Sequence, residues 1–166
     1  MRISKNFTLH ELIYSSTALR KNIDNTPSKE HILKLRLLVT SVLQPLRNAV
    51  GPLRITSGYR SQELCVAIGS HINSQHAKGE AVDMQYVKRG KMDNMQIFNA
   101  IISLGLSFDQ IILEFGPGAT KDRDSDYPDW IHLSWKVKEN RREILVAYKD
   151  ENNKTKYRRK KNYYGV

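Results

Sequence analysis

The order of patterns along this chain predicts an α+β fold, an antiparallel sheet with flanking helices, in a single domain covering residues 1–166. Three observations carry that expectation. Helical patterns come mainly early and strand patterns mainly late. Apolar residues from Ile32 to Leu46 recur at three- and four-residue spacing, as on the core face of a helix. The chain, 166 residues with one cysteine, is of single-domain length and must hold together by its core, because no intramolecular disulfide is possible.

Each element has its own signal. Thr8 and Glu11 form a capping box that opens a short helix to about Tyr14, with His10 on its exposed side. A polar loop leads to Thr26-Pro27-Ser28. Ser28 caps a long helix with Leu35, Leu38, Val39, Val42, Leu43 and Leu46 inward, kinked by Pro45 and closed by Gly51. Leu53 to Ser57 reads as a strand broken by Gly58, and Ser61 starts a short helix that ends at Gly69. Cys65 lies in that helix as a small buried hydrophobe. A strand follows around Ala81 to Met84, then an amphipathic helix from Asp93 to Leu104. Phe108 to Phe115 is rich in β-formers, and Gly116 to Pro128 is a Gly-, Pro- and Asp-rich loop at the rim. Trp130 to Val137 is a strand. Glu143 to Tyr148 and Lys154 to Arg159 form a terminal hairpin, the start of a basic end over residues 141–166.

The net charge is +10, and residues 136–166 hold seven Lys and four Arg against four acids. Such an end suits a polyanion such as an anionic cell wall, with Arg158, Arg159, Lys160 and Lys161 as its densest cluster, or serves only as a solvated surface. Tyr157, Tyr163 and Tyr164 accompany the charge, but no nucleic-acid motif does, so no nucleic-acid partner is expected. No stretch reaches the length of a membrane span and the N-terminus has no signal-peptide pattern. The expectation is a monomer made in the cytoplasm that reaches an outside substrate only by export or release.

The chemistry concentrates in two segments. Ser74 to Asp83 offers His76 and Asp83 on either side of Gly79, whose turn can bring them to one point. Asp129-Trp130-Ile131-His132 offers a second imidazole on the polar side of a strand, with an acid at its entrance. Two His and one Asp are a common ligand set for a zinc ion that keeps a position open for water. A further carboxylate nearby is what a hydrolase needs as general base. His71 reads as an ordinary loop residue.

The combined pattern, Ser74-x-His76-x-x-Gly79-x-Ala81-x-Asp83 and then Asp129-x-x-His132, resembles a family of zinc peptidases. That family includes D-alanyl-D-alanine carboxypeptidases and phage L-alanyl-D-glutamate endolysins on the Hedgehog/DD-peptidase fold. Ser57-Gly58-Tyr59-Arg60-Ser61 is similar to its arginine segment, and the resemblance spans roughly residues 7 to 136. It implies one zinc per chain on His76, Asp83 and His132. It implies Asp129 as catalytic base, and Arg60 as a catalytic and substrate-binding residue on the substrate carbonyl or carboxylate. Ser74, Tyr127 and Glu114 are further candidates for substrate binding. Tyr127 stands where some carboxypeptidases of the group have a histidine. The implied substrate is the stem peptide of peptidoglycan, and the implied role a phage-type wall lysin. The competing expectation is a non-catalytic wall- or polyanion-binding module on the same fold.

Overall fold

The computed structural model describes residues 1–160, so Lys161, Tyr163 and Tyr164 of the basic end lie outside the described residues. Six helices and eight strands are described, with a mixed six-stranded sheet at the centre. Helix α1 (Leu9–Ile13) opens with the capping box: the Thr8 side chain accepts from the Glu11 N–H and the Glu11 carboxylate accepts from the Thr8 N–H. Helix α2 (Ser16–Lys21), capped by Ser15, stands where a loop was expected.

The long helix forms as α3 (Lys29–Leu38), a π-helical turn at Val39–Leu43 and α4 (Gln44–Val50). Pro45 has no N–H and its ring would press on the carbonyl one turn back. The wider π turn ahead of it absorbs that misfit, so the irregularity precedes the proline. Strand β1 (Arg54–Ser57), helix α5 (Gln62–Ala67) and strand β2 (Ala81–Gln85) follow. A small hairpin of β3 (Val87–Lys88) and β4 (Lys91–Met92), absent from the sequence reading, leads to α6 (Asn94–Ser103). Then come β5 (Gln110–Glu114), β6 (Trp130–Ser134), β7 (Glu143–Lys149) and β8 (Thr155–Arg159).

The strand order is β1-β2-β6-β5-β7-β8. All pairings are antiparallel except β5 with β7, which is parallel and corrects the all-antiparallel expectation. The chain leaves β5, runs back along β6 and crosses to the far side of β5, so β7 enters in β5's own direction. One face of the sheet carries Val82, Met84, Ile111, Leu113, Ile131 and Leu133, all in the core with the long helix and α6. The intervening residues face the other way, as strand alternation requires.

That other face has an ordered transverse row. Ser57, Asp83, His132, Ile112, Leu145 and Arg159 are successive register partners from β1 to β8. A second row runs Trp130, Glu114, Ala147, Tyr157. Sheet register therefore sets the polar side chains next to one another.

Candidate metal centre and active site

Glycine makes the first part of the site. A Cβ on Gly58 would lie 2.2 Å from the Leu12 carbonyl oxygen, so only glycine lets the chain pass the end of α1 so closely. The Tyr59 N–H donates to that same carbonyl at 2.7 Å. Asn25 holds the segment from the other side: its Nδ2 donates to the carbonyls of Ile13 (2.7 Å) and Tyr59 (3.1 Å), and its Oδ1 accepts from the Ser61 N–H (2.7 Å). Gly79 has φ +69, and a Cβ there would meet the His31 carbonyl oxygen at 2.8 Å. This turn swings the chain from His76 into β2, where Asp83 lies opposite His132.

His76, Asp83 and His132 are all buried. His76 Nδ1 lies 2.7 Å from the Gly58 carbonyl oxygen. A carbonyl can only accept, so Nδ1 carries the proton and Nε2 presents its lone pair. Nε2 is 3.2 Å from His132 Nδ1 and 3.3 Å from Asp83 Oδ1, and His132 Nδ1 is 2.9 Å from that same oxygen. A tetrahedral zinc with ligands at ~2.0–2.1 Å places them ~3.3 Å apart. The three donor atoms fit that spacing, and the donor set, two imidazoles and one carboxylate, fits the ion. The Gly58 carbonyl supplies the outer hydrogen bond that fixes a ligating imidazole's tautomer.

The electrostatics agree with the geometry. Burial pushes the Asp83 carboxyl up, but the His76 and His132 imidazoles outweigh it and hold the group well below the usual carboxylate range. Burial lowers His76, which favours the neutral imidazole that a metal needs. Arg60 supports the outer side of Asp83: its Nη2 is 2.6 Å from Asp83 Oδ2, and its Nε donates to Ser57 Oγ at 2.9 Å.

These groups lie at the floor of a groove of about 460 Å³, with Arg60 and Ser74 in its lining. Glu114 lines it too and is 7% exposed, and among the described residues no hydrogen bond reaches its carboxyl. Burial raises Glu114 to about 7; His132 opposes that shift and Asp83 adds to it. Asp129 is placed differently. Its N–H donates to the Glu114 carbonyl (2.9 Å), and its own carbonyl accepts from Gln85 Nε2 (3.0 Å) and Asn94 Nδ2 (2.9 Å). Its side chain is exposed and stands apart from the groove lining, as does that of Tyr127, 70% exposed. The structure thus brings together His76, Asp83, His132, Arg60, Ser74 and Glu114, and leaves Asp129 and Tyr127 outside.

Other contributors had no signal in the sequence. Asp109, fully buried, accepts from Gln75 Nε2 (2.7 Å), the Arg141 backbone N–H (3.1 Å) and Arg141 Nη2 (2.7 Å), with Lys136 Nζ at 3.1 Å. It ties the His76 loop, through the neighbouring Gln75, to the start of β5. Phe115, Thr155 and Tyr157 line the groove's far part. Among the described residues no helix is long and apolar enough to cross a membrane.

Residues 5–109 match the family model described as Peptidase M15. No curated protein matches the chain.

Proposed function

This chain belongs to the peptidase M15 family of zinc metallopeptidases, and we propose that it is a zinc-dependent hydrolase of peptidoglycan stem peptides that acts as a cell-wall lysin. The observation that carries this reading is the meeting of His76, Asp83 and His132 at the floor of an open groove, beside Arg60 and the acid Glu114, which has no hydrogen-bond partner for its carboxyl among the described residues. A binding module would not need a buried, unpaired carboxyl there, because such a group costs stability.

His76, Asp83 and His132 would hold the zinc, whose Lewis acidity polarises a carbonyl and makes water acidic near neutral pH when it is bound. Arg60 orients Asp83 and brings a planar cation to the groove, suited to a carbonyl oxygen that gains negative charge or to a substrate carboxylate. Proton handling falls to Glu114. It lies in the row next to His132 and opens to the groove, and burial favours its protonated form, so it would take a proton from water and return it to the leaving amine. The family resemblance points to Asp129 for this role, and one comparison separates the two. Under the present reading Glu114→Gln abolishes turnover and Asp129→Asn reduces it modestly, with zinc retained in both.

The substrate proposal rests on the resemblance to wall-peptide hydrolases and on the basic charge of the chain, which favours an anionic wall. On this reading the protein meets the wall after release from the cell that makes it. Digestion of purified peptidoglycan, with fragments identified by mass, names the bond cut. Release of stem-peptide fragments that stops with chelator supports the proposal. Cleavage of unrelated peptides with the wall left intact refutes the substrate.

A further inference from the structure

Beyond the metal floor, the groove continues across the sheet to strands that lie after the family-model match, which ends at residue 109. In the second transverse row Glu114 is followed by Ala147 and then by Tyr157 on β8. Ala147 is small and buried, so nothing tall stands between Glu114 and the Tyr157 ring. Tyr157 is 54% exposed and lines the groove with Thr155. Phe115 lines it nearby at φ +55, a costly conformation for a bulky residue, with its ring edge-on to Trp130 at 5.5 Å. An aromatic lining at Trp130, Phe115 and Tyr157 therefore marks the route.

Strand β8 is also fastened in place. Arg158 Nη2 and Lys160 Nζ both bind the Asp124 carboxylate, and Arg158 Nε donates to the Thr120 carbonyl at 3.0 Å. The loop between β5 and β6 thereby fixes the height of the strand that presents Tyr157.

We propose that Tyr157 on β8 is a specificity-determining residue that forms a distal subsite for an extended peptide lying across the sheet. From β6 to β8 is three strand spacings, about 14 Å, which an extended chain covers in about four residues. The preferred substrate is then a peptide that reaches about four residues to one side of the scissile bond, and not a free dipeptide. This inference rests on the peptidase reading above.

The test uses the full-length zinc-loaded protein and purified stem peptides of two to five residues, with binding followed by intrinsic tryptophan fluorescence beside kcat and KM. The wild type should gain affinity with length. Tyr157→Ala should raise KM for the longest peptide about tenfold, kcat unchanged, with a loss that shrinks as the peptide shortens. Tyr157→Phe should restore most of the difference, since the ring makes the contact. Equal losses at every length, or none, overturn the subsite. A wild type that binds longer peptides more tightly through Tyr157 but cuts none leaves the subsite standing and refutes the peptidase reading. Neither cleavage nor length-dependent binding refutes both.

Discussion

Glu114 carries the sharpest demand at the scale of single residues. Its folded pKa of about 7 lies above the ordinary carboxyl value, so the fold favours the protonated form. Stability from that preference is complete below the unfolded value of ~4.3 and is lost as pH rises toward 7. Glu114→Gln should therefore stabilise the metal-free protein at pH 8, by up to ~3 kcal/mol, while it abolishes turnover. Denaturant melts of chelated wild type and mutant at pH 4 and pH 8 read the difference, which should vanish at the lower pH. A mutant less stable at both pH values would mean that the carboxylate is paired. Gly58 makes an opposite demand. An added methyl would run into the Leu12 carbonyl, and the displaced Gly58 carbonyl orients His76. Gly58→Ala should cost more than ~2 kcal/mol of stability and weaken zinc binding at least tenfold. Zinc affinity by competitive titration checks this, and unchanged affinity would show that the Gly58 contact is incidental.

Elements whose signals are local were legible in the sequence. The Thr8 capping box, the apolar stripe of the long helix and the β-branched runs each fix their own segment, and the two-residue alternation placed His132 on the polar face. The convergence of His76, Asp83 and His132 was legible because Gly79 and the strand faces both pointed to it. What escaped depends on distant partners. The β5–β7 parallel pairing follows from where β7 finds a free edge, and Ser16–Lys21 is too short and polar to show a helical stripe. The resemblance gives Asp129 as the base; its side chain is exposed and outside the groove lining, whereas that of Glu114 lines the groove. Asp109 draws Gln75 from the loop before β2, and Lys136 and Arg141 from the loop between β6 and β7. Burial raises its carboxyl, yet the Arg141 and Lys136 contacts hold it below the usual range. A depressed acid stabilises above its unfolded pKa of ~3.9 and loses that contribution as pH falls through the folded value. Asp109→Asn should cost ~2 kcal/mol at pH 7 and progressively less in strong acid, and melts across pH test this.

At the scale of the whole molecule, the cations of the basic end fall into an engaged set and an exposed set. Arg158 and Lys160 are engaged with Asp124, whereas Lys154, Lys156 and Arg159 are exposed. Neutralising the exposed three should weaken wall binding mainly at low salt, because screening acts over ~8 Å at physiological ionic strength. Neutralising Arg158 and Lys160 should instead lower the melting temperature at any salt. Wall-pelleting assays across salt, beside melts, separate the two, and identical behaviour of both variants would remove the distinction. All of this depends on a metal at the foot of the groove. The direct measurement is zinc content paired with wall hydrolysis in one preparation: wild type, His132→Ala, and wild type stripped by chelator and then reloaded. One zinc per chain is expected in the wild type and little in the mutant, with hydrolysis lost on stripping and restored by zinc. A stripped protein that hydrolyses the wall at full rate, or a wild type that binds no zinc, would contradict it.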